Sequence, residues 1–252
     1  MLRAYGITDK GVVRPTNEDY FVVDERLRLS VIADGMGGHN AGEVAARIAV
    51  DSVVSFLSQP APCLSWPFGF DHSLSDAGNL VRTAIHLANL RVLEAAGTST
   101  DYAGMGTTIV AALVVDRRLV VGHVGDSRLY LLTGGRLRRI TDDDSWMATM
   151  LAHDPDVDPL ELLRHPMRNA LTNVVGTKRR TDVHVVEEQL AAGDVVLLTT
   201  DGVHGVLEEK RIEEMLVRAR SVEETAANLV GAALACGSRD NCTAVVGQYL
   251  HP

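Results

Sequence analysis

Three apolar stretches of this chain run directly into an aspartate. They are Leu29–Ala33 before Asp34-Gly35, Leu119–Gly125 before Asp126-Ser127, and Val195–Thr200 before Asp201-Gly202. A buried strand that ends in a carboxylate holds that carboxylate on a rigid support. Two further acidic motifs, Glu18-Asp19 and Asp240-Asn241, could join the same site. Carboxylates crowded together raise one another's pKa and are neutralised best by divalent cations. These residue types therefore indicate a metal-dependent hydrolase.

The composition is that of a soluble globular chain of 252 residues, 46% apolar and 23% charged. With roughly 150 residues per domain the length allows one or two domains. Because the sequence has no linker-like tract and no repeat, we predict a single domain that spans residues 1–252. We expect the protein to be a monomer. The net charge of −9 argues against general affinity for nucleic acid or anionic lipid. Nothing in the sequence resembles a transmembrane helix or a secretory leader, so we expect no membrane association.

The three cysteines lack C-x-x-C spacing, which favours reduced thiols in the cytoplasm over a disulfide framework or a metal site. Cys236 lies in an alanine-rich helical stretch and Cys242 opens a strand, and the third cysteine is Cys63. We expect the first two to be buried packing residues.

Apolar periodicity predicts helices over 41–57, 76–96, 208–218 and 222–236, and strands over 20–24, 28–34, within 107–132, and over 183–188, 194–200 and 242–249. Because pairs of helices alternate with runs of strands, we expect two stacked, mainly antiparallel sheets with helices outside. Short helical pieces and prolines over about 141–180 are typical of a mobile flap over a site. In the loop 58–74, Trp66, Phe68 and Phe70 are expected to pack back onto the domain, with a docking surface as the alternative.

Several motifs have two interpretations when taken alone. Gly35, within a glycine-rich turn, could offer its carbonyl oxygen to a metal ion, or the turn could simply connect a strand to a helix with Asp34 as its cap. Arg14 could hold two phosphate oxygens through its planar guanidinium, or form a surface ion pair. Asp240-Asn241 by itself is more typical of a turn. His123 is expected to be a hydrogen-bonded interior or edge residue, and His204 to contact substrate or solvent.

Other hydrolase and phosphate-binding motifs are missing. The glycine-rich turn lacks the Lys-Ser/Thr ending of a P-loop. The sequence has no serine nucleophile elbow, no cysteine-centred phosphatase loop and no zinc-type histidine spacing.

The order of the motifs resembles the PPM, or type 2C, metal-dependent Ser/Thr protein phosphatases in their compact bacterial form. The matching segments span nearly the whole chain: Thr8–Arg14, Asn17–Asp19, Ala33–His39, Ala41–Glu43, Gly104–Thr108, Val124–Arg128, Thr200–Gly202 and Arg239–Asn241. The resemblance implies an α+β fold, a four-layer α-β-β-α sandwich with a metal cluster at one end of the paired sheets.

The resemblance also implies a role for each site residue. Asp34 would bridge two metal ions, Asp201 and Asp240 would complete the first ion's ligands, and Glu18 with the Gly35 carbonyl the second's. Asp19 would orient the attacking water, Asp126 with Asp201 would match a third-metal position, and Arg14 would hold the substrate phosphate. Ligands that are all oxygen suit Mn²⁺ or Mg²⁺, and two such ions activate water for in-line attack on phosphorus.

The sequence departs from the family pattern at three places. Met36 stands where animal and plant relatives carry a histidine proposed as general acid, and His39, near the substrate, is a hypothetical substitute. Val203-His204-Gly205 lacks an acid that the family often has after Asp201-Gly202. Asp144 replaces a histidine of many members, which leaves contacts near the flap open.

The sequence thus predicts a cytoplasmic, bacterial phosphatase that acts on phosphoserine and phosphothreonine in proteins and opposes a Ser/Thr kinase. Two alternatives remain. The same surface could bind a phosphoprotein without hydrolysing it, or the substrates could be small phosphoesters.

Overall fold

Two antiparallel sheets form the centre of the molecule. The computed structural model describes residues 2–38, 41–59, 66–154 and 157–250. In chain order the strands of sheet I are β1 (Leu2–Asp9), β7 (Arg128–Thr133), β8 (Arg136–Arg139), β10 (Val195–Thr199) and β11 (Cys242–Tyr249). Those of sheet II are β2 (Asp19–Asp24), β3 (Leu29–Met36), β4 (Gly106–Thr107), β5 (Ile109–Val115), β6 (Arg118–Val124) and β9 (His184–Gln189). The spatial order is β1-β11-β10-β7-β8 in sheet I and β2-β3-β5-β6-β9 in sheet II, with β4 paired to β3.

Helices cover the outer face of each sheet. The helices are α1 (Ala41–Leu57), α2 (Asp76–Ala96), α3 (Trp146–His153), α4 (Pro159–Arg164), α5 (Asp201–His204), α6 (Glu209–Val217) and α7 (Val222–Ala235). Buried residues of α1 and α2 share one apolar core with sheet II, and those of α6 and α7 share another with sheet I. Serine caps begin several of the helices: Ser75 Oγ accepts from Gly78 N–H at α2, and Ser221 Oγ from Glu224 N–H at α7.

The alternation of side chains along β10 explains how the layers are joined. Val195 and Leu197 face the core beneath α6 and α7, whereas Val196 and Leu198 face a third core between the two sheets. Strand β5 is divided in the same way between the helix-covered core and the inter-sheet core. Because both faces of these strands are buried, they are almost continuously apolar. The predicted four-layer α-β-β-α sandwich is confirmed.

Most elements lie where the apolar pattern predicts them, with three exceptions. Strands β1 and β8 and the short helix α5 were not predicted. Every residue of β1 is exposed or half-buried, since this strand lies at the edge of sheet I, and β8 is mostly exposed at the other edge. Neither therefore carries the apolar run of a central strand.

The predictions for aromatic and cysteine residues have mixed outcomes. Phe68 packs back onto α2, with its ring 4.7 Å from that of His86, and Trp66 packs on Phe70 at 5.0 Å. Cys242 is buried, as expected, but Cys236 is exposed. The prediction for Cys236 was wrong because this residue caps α7 beyond the last helical turn that packs on the sheet. Cys63 lies outside the described residues. None of the described helices has the length and apolar character needed to span a membrane.

Candidate active site

Five acidic residues predicted from strand ends and turns meet at one end of the two sheets. Asp19 and Asp34 pair directly across β2 and β3. Asp201 follows β10 as the first residue of α5, and Asp240 lies just before β11, the neighbour of β10. Asp126 lies between β6 and β7. The negative charge of Asp34 is close enough to interact with those of the other four, so the fold brings these carboxylates together.

Glu18 and Gly35 lie against each other at the same end of sheet II. Gly35 N–H donates to the Glu18 carbonyl at 3.1 Å, and Glu18 N–H donates to Asn241 Oδ1 at 2.8 Å. A side chain on Gly35 would clash with the carbonyl oxygens of Gly42 and Glu18. Glycine is therefore required here for the close approach of three backbone segments, which explains part of the glycine-rich turn.

Threonine hydroxyls support the acidic residues, a feature that the sequence interpretation missed. Asp19 Oδ2 accepts hydrogen bonds from Thr200 Oγ at 2.8 Å and from Thr243 Oγ at 2.6 Å. Thr108 Oγ accepts from Asp34 N–H at 3.0 Å, and Thr107 Oγ donates to the Asp34 carbonyl at 2.8 Å. The available signal was the position of these threonines in buried strand ends beside the acidic motifs, where a hydroxyl needs a partner.

Burial and mutual repulsion raise the pKa of these carboxyl groups. Burial raises the pKa of Asp19 to about 7 against the opposing effect of its two threonine bonds. The pKa of Asp126 is raised to about 7, mainly by burial and then by the charge of Asp201. The pKa of Asp34 is raised well above its ordinary value by burial and by its four acidic neighbours. For Asp201 and Glu18 burial is again the largest cause of a raised pKa. A site that resists negative charge in this way favours cations.

The residues present fit a site for hard divalent cations. Asp19 Oδ1 and Asp201 Oδ1 are buried and have no hydrogen-bond partner in the part of the chain that the structure describes. Buried acceptors are normally paired, and a cation at Asp201 together with a cation-bound water at Asp19 would satisfy both. Within the same described residues, no three acidic, histidine or cysteine side chains already stand at metal-holding distances.

Arg14 lies at the rim of the acidic cluster. Its Nη2 forms an ion pair with Asp240 Oδ2 at 2.6 Å, and 49% of its side chain is exposed. The charges of Asp34 and Glu18 also act on it. Arg14 is therefore in an ion pair, as one interpretation of the sequence held, and also beside the acidic cluster, where it could reach a phosphate.

Comparison with known proteins identifies the family. Residues 15–237 match the family model described as protein phosphatase 2C. The chain belongs to the protein phosphatase 2C family. The match includes Glu18, Asp34, Asp126 and Asp201 but ends before Asp240 and begins just after Arg14, so the Arg14–Asp240 ion pair joins residues outside it.

Bacterial serine/threonine phosphatases are similar to this protein phosphatase 2C over nearly the whole length of this chain. The serine/threonine phosphatase stp of Listeria welshimeri is 30% identical over 242 residues, which are 95% of this chain and 92% of the relative. The crystal structure of the Mycobacterium tuberculosis serine/threonine phosphatase PstP/Ppp has a TM-score of 0.86 and 32% identity, with 99% of each chain covered. A structure of the PstP catalytic domain in complex with two manganese ions has a TM-score of 0.83 and 32% identity, covering 99% of this chain and 98% of that one.

In this protein phosphatase 2C the turn that carries Asp126 is hydrogen-bonded to the segment 141–180. Gly125, at φ +98°, is in a conformation that favours glycine, and its N–H donates to Asp144 Oδ2 at 2.9 Å. Asn173 Nδ2 also donates to Asp144 Oδ2 at 2.8 Å, and His184 Nε2 lies 3.0 Å from Asp144 Oδ1. Asp144 therefore links the Asp126 turn, Asn173 and β9.

Two cavities meet at Gly205, directly after α5. The smaller, of about 360 Å³, is lined by Arg14, Asp201 and Asp240. The larger, of about 870 Å³, runs beneath α3, where Arg128 and Asp143 form an ion pair at 2.6 Å. Gly205 borders both.

The histidines differ in how well their predictions hold. His204 lines the larger cavity, and its Nδ1 shares a hydrogen bond of 2.9 Å with Thr199 Oγ, so it is not simply solvated. His123 is an interior residue, as expected, with only 2% exposed. Its Nδ1 nevertheless lacks a hydrogen-bond partner among the described residues, so the prediction that it is hydrogen-bonded fails for this nitrogen. The ring instead stacks on His184 at 5.0 Å. His39 lies outside the described residues.

Proposed function

We propose that Glu18, Asp34, Gly35, Asp201 and Asp240 hold two divalent cations, Mn²⁺ or Mg²⁺, in this metal-dependent serine/threonine protein phosphatase. Asp34 would be shared by both ions, with Asp201 and Asp240 at one and Glu18 and the Gly35 carbonyl at the other. Oxygen-only ligands and a strongly acidic cluster suit these hard cations. The two manganese ions of the similar PstP structure support the assignment.

The protein residues would divide the work around the phosphoryl group. Divalent cations, when bound, supply a nucleophile at neutral pH by lowering the pKa of water. Arg14 would donate two parallel hydrogen bonds to phosphate oxygens, which orients the phosphorus for in-line attack. Asp19, whose Oδ2 accepts from Thr200 and Thr243, would accept a hydrogen bond from the attacking water at Oδ1, which has no partner among the described residues. Asp126, with Asp201, would hold a third ion.

The convergence of the carboxylates is the observation that carries this proposal. Side chains from separate parts of the chain meet at one end of two sheets, and two of their buried oxygens lack partners among the described residues. Such an arrangement destabilises the protein unless cations compensate it, because buried like charges repel. A fold has no structural need for it, which favours a functional site.

The wider context of the enzyme is also proposed. We infer one catalytic domain over 1–252 with a flap over about 141–180, acting as a monomer in the cytoplasm on proteins phosphorylated by a Ser/Thr kinase. The net charge of −9 supports neither nucleic-acid nor anionic-membrane binding. The two cavities that meet at Gly205 offer room for residues on either side of a phosphorylated residue, which favours protein substrates over small phosphoesters.

The Asp34→Asn variant tests the metal assignment. We expect calorimetric titration with Mn²⁺ to show loss of the tighter binding, and hydrolysis of a phosphothreonine peptide to fall by at least a hundredfold, which is roughly 2.7 kcal/mol. Asp51→Asn, at an exposed position of α1, is the matched control and should behave like the wild type. Unchanged Mn²⁺ binding in Asp34→Asn would overturn the assignment.

Substrate comparison tests the reaction class. The wild type with Mn²⁺ should hydrolyse phosphothreonine peptides faster than sugar phosphates or nucleotides. Tight phosphoprotein binding without any turnover would favour the binding-module alternative, and a preference for small phosphoesters would favour the third hypothesis.

A further inference from the structure

Two exposed valines line the same cavity as the phosphate-directed residues. Val13 is 51% exposed and Val206 is 38% exposed. Both border the cavity of about 360 Å³ that also contains Arg14, Asp201 and Asp240. Single exposed apolar residues are common on protein surfaces. Two exposed apolar residues that line one cavity with the proposed catalytic groups are less usual, because a group bound to them lies beside the substrate phosphate.

Both valines are held on segments that are fixed to the metal-site residues. The loop before Glu18 is anchored by Asn241, whose Nδ2 donates to the carbonyls of Lys10 and Thr16 at 2.8 and 2.9 Å. Val206 follows α5, where Gly205 N–H donates to the Asp201 carbonyl at 2.7 Å. Their positions relative to the phosphate site are therefore set by the same residues that position the carboxylates.

The lining of the cavity is mixed: Ser238 and Arg239 border it beside Arg14 and the carboxylates, and Val13 and Val206 are its two apolar side chains. Arg14 and the carboxylates account for the phosphate and its cations, but they give no role to the two valines. A cavity of about 360 Å³ is at the lower end of the range for small-molecule sites, and a phosphoryl group alone fills only part of it. An apolar side chain that removes both valines from water would be favoured there.

We propose that Val13 and Val206 form a subsite for an apolar residue next to the phosphorylated serine or threonine of the substrate. The proposal rests on the proposed function, since the subsite is defined by its distance from the phosphate. It assigns the enzyme a substrate class: phosphoproteins with an aliphatic side chain adjacent to the phosphorylated residue. Val13 precedes Arg14 in the chain and both line the cavity, so the substrate residue that contacts Val13 is expected next to the phosphorylated one.

A peptide panel tests the subsite. Phosphothreonine peptides that carry valine, leucine, serine or aspartate immediately before or after the phosphothreonine are compared by kcat/KM with the wild type and Mn²⁺. We expect an aliphatic neighbour on one side to raise kcat/KM about tenfold over serine, the low end of what one or two methyl groups contribute in an apolar pocket. The gain should lie mainly in KM.

Replacement of the valines links the preference to these residues. Val13→Thr combined with Val206→Thr keeps the side-chain shape but adds hydroxyls, and the ratio of kcat/KM between the aliphatic and serine peptides should fall from about ten to below three. Taking a ratio within each variant removes any general change in activity. Val217→Thr, at a valine that is 56% exposed on α6, is the matched control and should keep the wild-type ratio.

The outcomes separate this proposal from the proposed function. If the wild type hydrolyses all the peptides equally, or if the double variant keeps the preference, the subsite is wrong while the phosphatase assignment stands. If no phosphopeptide is hydrolysed with Mn²⁺, the proposed function fails and the subsite fails with it.

Discussion

Removing the negative charge of Asp126 should stabilise the metal-free protein at alkaline pH. Burial and the charge of Asp201 raise the pKa of Asp126 from 3.8 to about 7. A carboxyl group whose pKa is raised by folding binds more protons in the folded than in the unfolded state. The ionised Asp126 carboxylate therefore destabilises the folded protein from about pH 4 upwards, and this destabilisation grows with pH and is complete above about pH 7. The Asp126→Asn variant cannot ionise and avoids this destabilisation.

The size of the effect follows from the pKa shift. A shift of about three units corresponds to about 4 kcal/mol. Because Asp126 is only partly buried, water screens its charge, and we expect about half of that value, ~2 kcal/mol. For a chain of this length this is a rise of about 4–8 °C in Tm. At pH 4 the two proteins should unfold at nearly the same temperature.

Thermal unfolding in the presence of a chelator, at pH 4, 5 and 8, measures this difference. Asp51→Asn, which removes an exposed carboxylate of α1, should leave Tm within about 1 °C of the wild type at each pH. Saturating Mn²⁺ should raise the Tm of the wild type more at pH 8 than at pH 5, since deprotonated carboxylates bind cations. If Asp126→Asn is no more stable than the wild type at pH 8, or if the gain is the same at pH 4, charge crowding does not explain the site.

Three further predictions concern single residues. Arg14→Ala should lower kcat/KM for a phosphothreonine peptide roughly 10–150-fold, the equivalent of a lost charged hydrogen bond. Arg14→Lys should recover only part of this activity, because lysine lacks the planar guanidinium that donates two parallel hydrogen bonds. An equal loss of activity in both variants would argue for a purely structural role of Arg14. Gly35→Ala should destabilise the protein by about 1–3 kcal/mol in urea unfolding, because the new methyl group overlaps the Gly42 carbonyl, and a neutral result would mean that this turn relaxes easily. The hydrogen bond to Asp144 raises the pKa of His184. Burial raises the pKa of Asp144, but hydrogen bonds from His184, Gly125 and Asn173 outweigh it and lower that pKa. The contribution of the Asp144–His184 ion pair to the unfolding free energy is therefore present above about pH 4 and is lost as the pH rises through the raised pKa of His184. The difference in unfolding free energy between the wild type and His184→Gln should therefore shrink from pH 6 to pH 8.5, and a constant difference would contradict the ion pair.

Helices and central strands were predictable because their apolar period follows directly from packing. The spacing of apolar residues predicted α1 and α2 with the bounds that the structure has, Ala41–Leu57 and Asp76–Ala96. The edge strand β1 was not predicted, since all of its residues face solvent or are only partly covered. Edge strands bury one face incompletely, so their sequence pattern is weak.

The members of the acidic cluster were predictable one by one, but their meeting was not. A strand that ends in an aspartate can be recognised from its apolar run, as with Asp34 and Asp201. Whether two such strand ends are neighbours depends on the order of the strands in the sheets. Here β10 lies beside β11 in sheet I, and β2 lies beside β3 in sheet II. No local period encodes that order. The family resemblance supplied it, and the same resemblance gave no role to the threonines, because hydroxyl bonds to Asp19 depend on side-chain contacts between distant strands.

The way the carboxylates are supported implies how the protein behaves without cations. Asp19 Oδ2 accepts hydrogen bonds from the Thr200 and Thr243 hydroxyls, and Asp34 N–H donates to the Thr108 hydroxyl. The strands that carry Asp19 and Asp34, β2 and β3, belong to large apolar cores. Small metal-folded domains, by contrast, lose their structure when the ion is removed, because the ion supplies the folding free energy. Here the cores supply it, so cation removal should raise the electrostatic energy of the site without unfolding the sandwich. A site built in this way can release and rebind cations while the carboxylates stay in place.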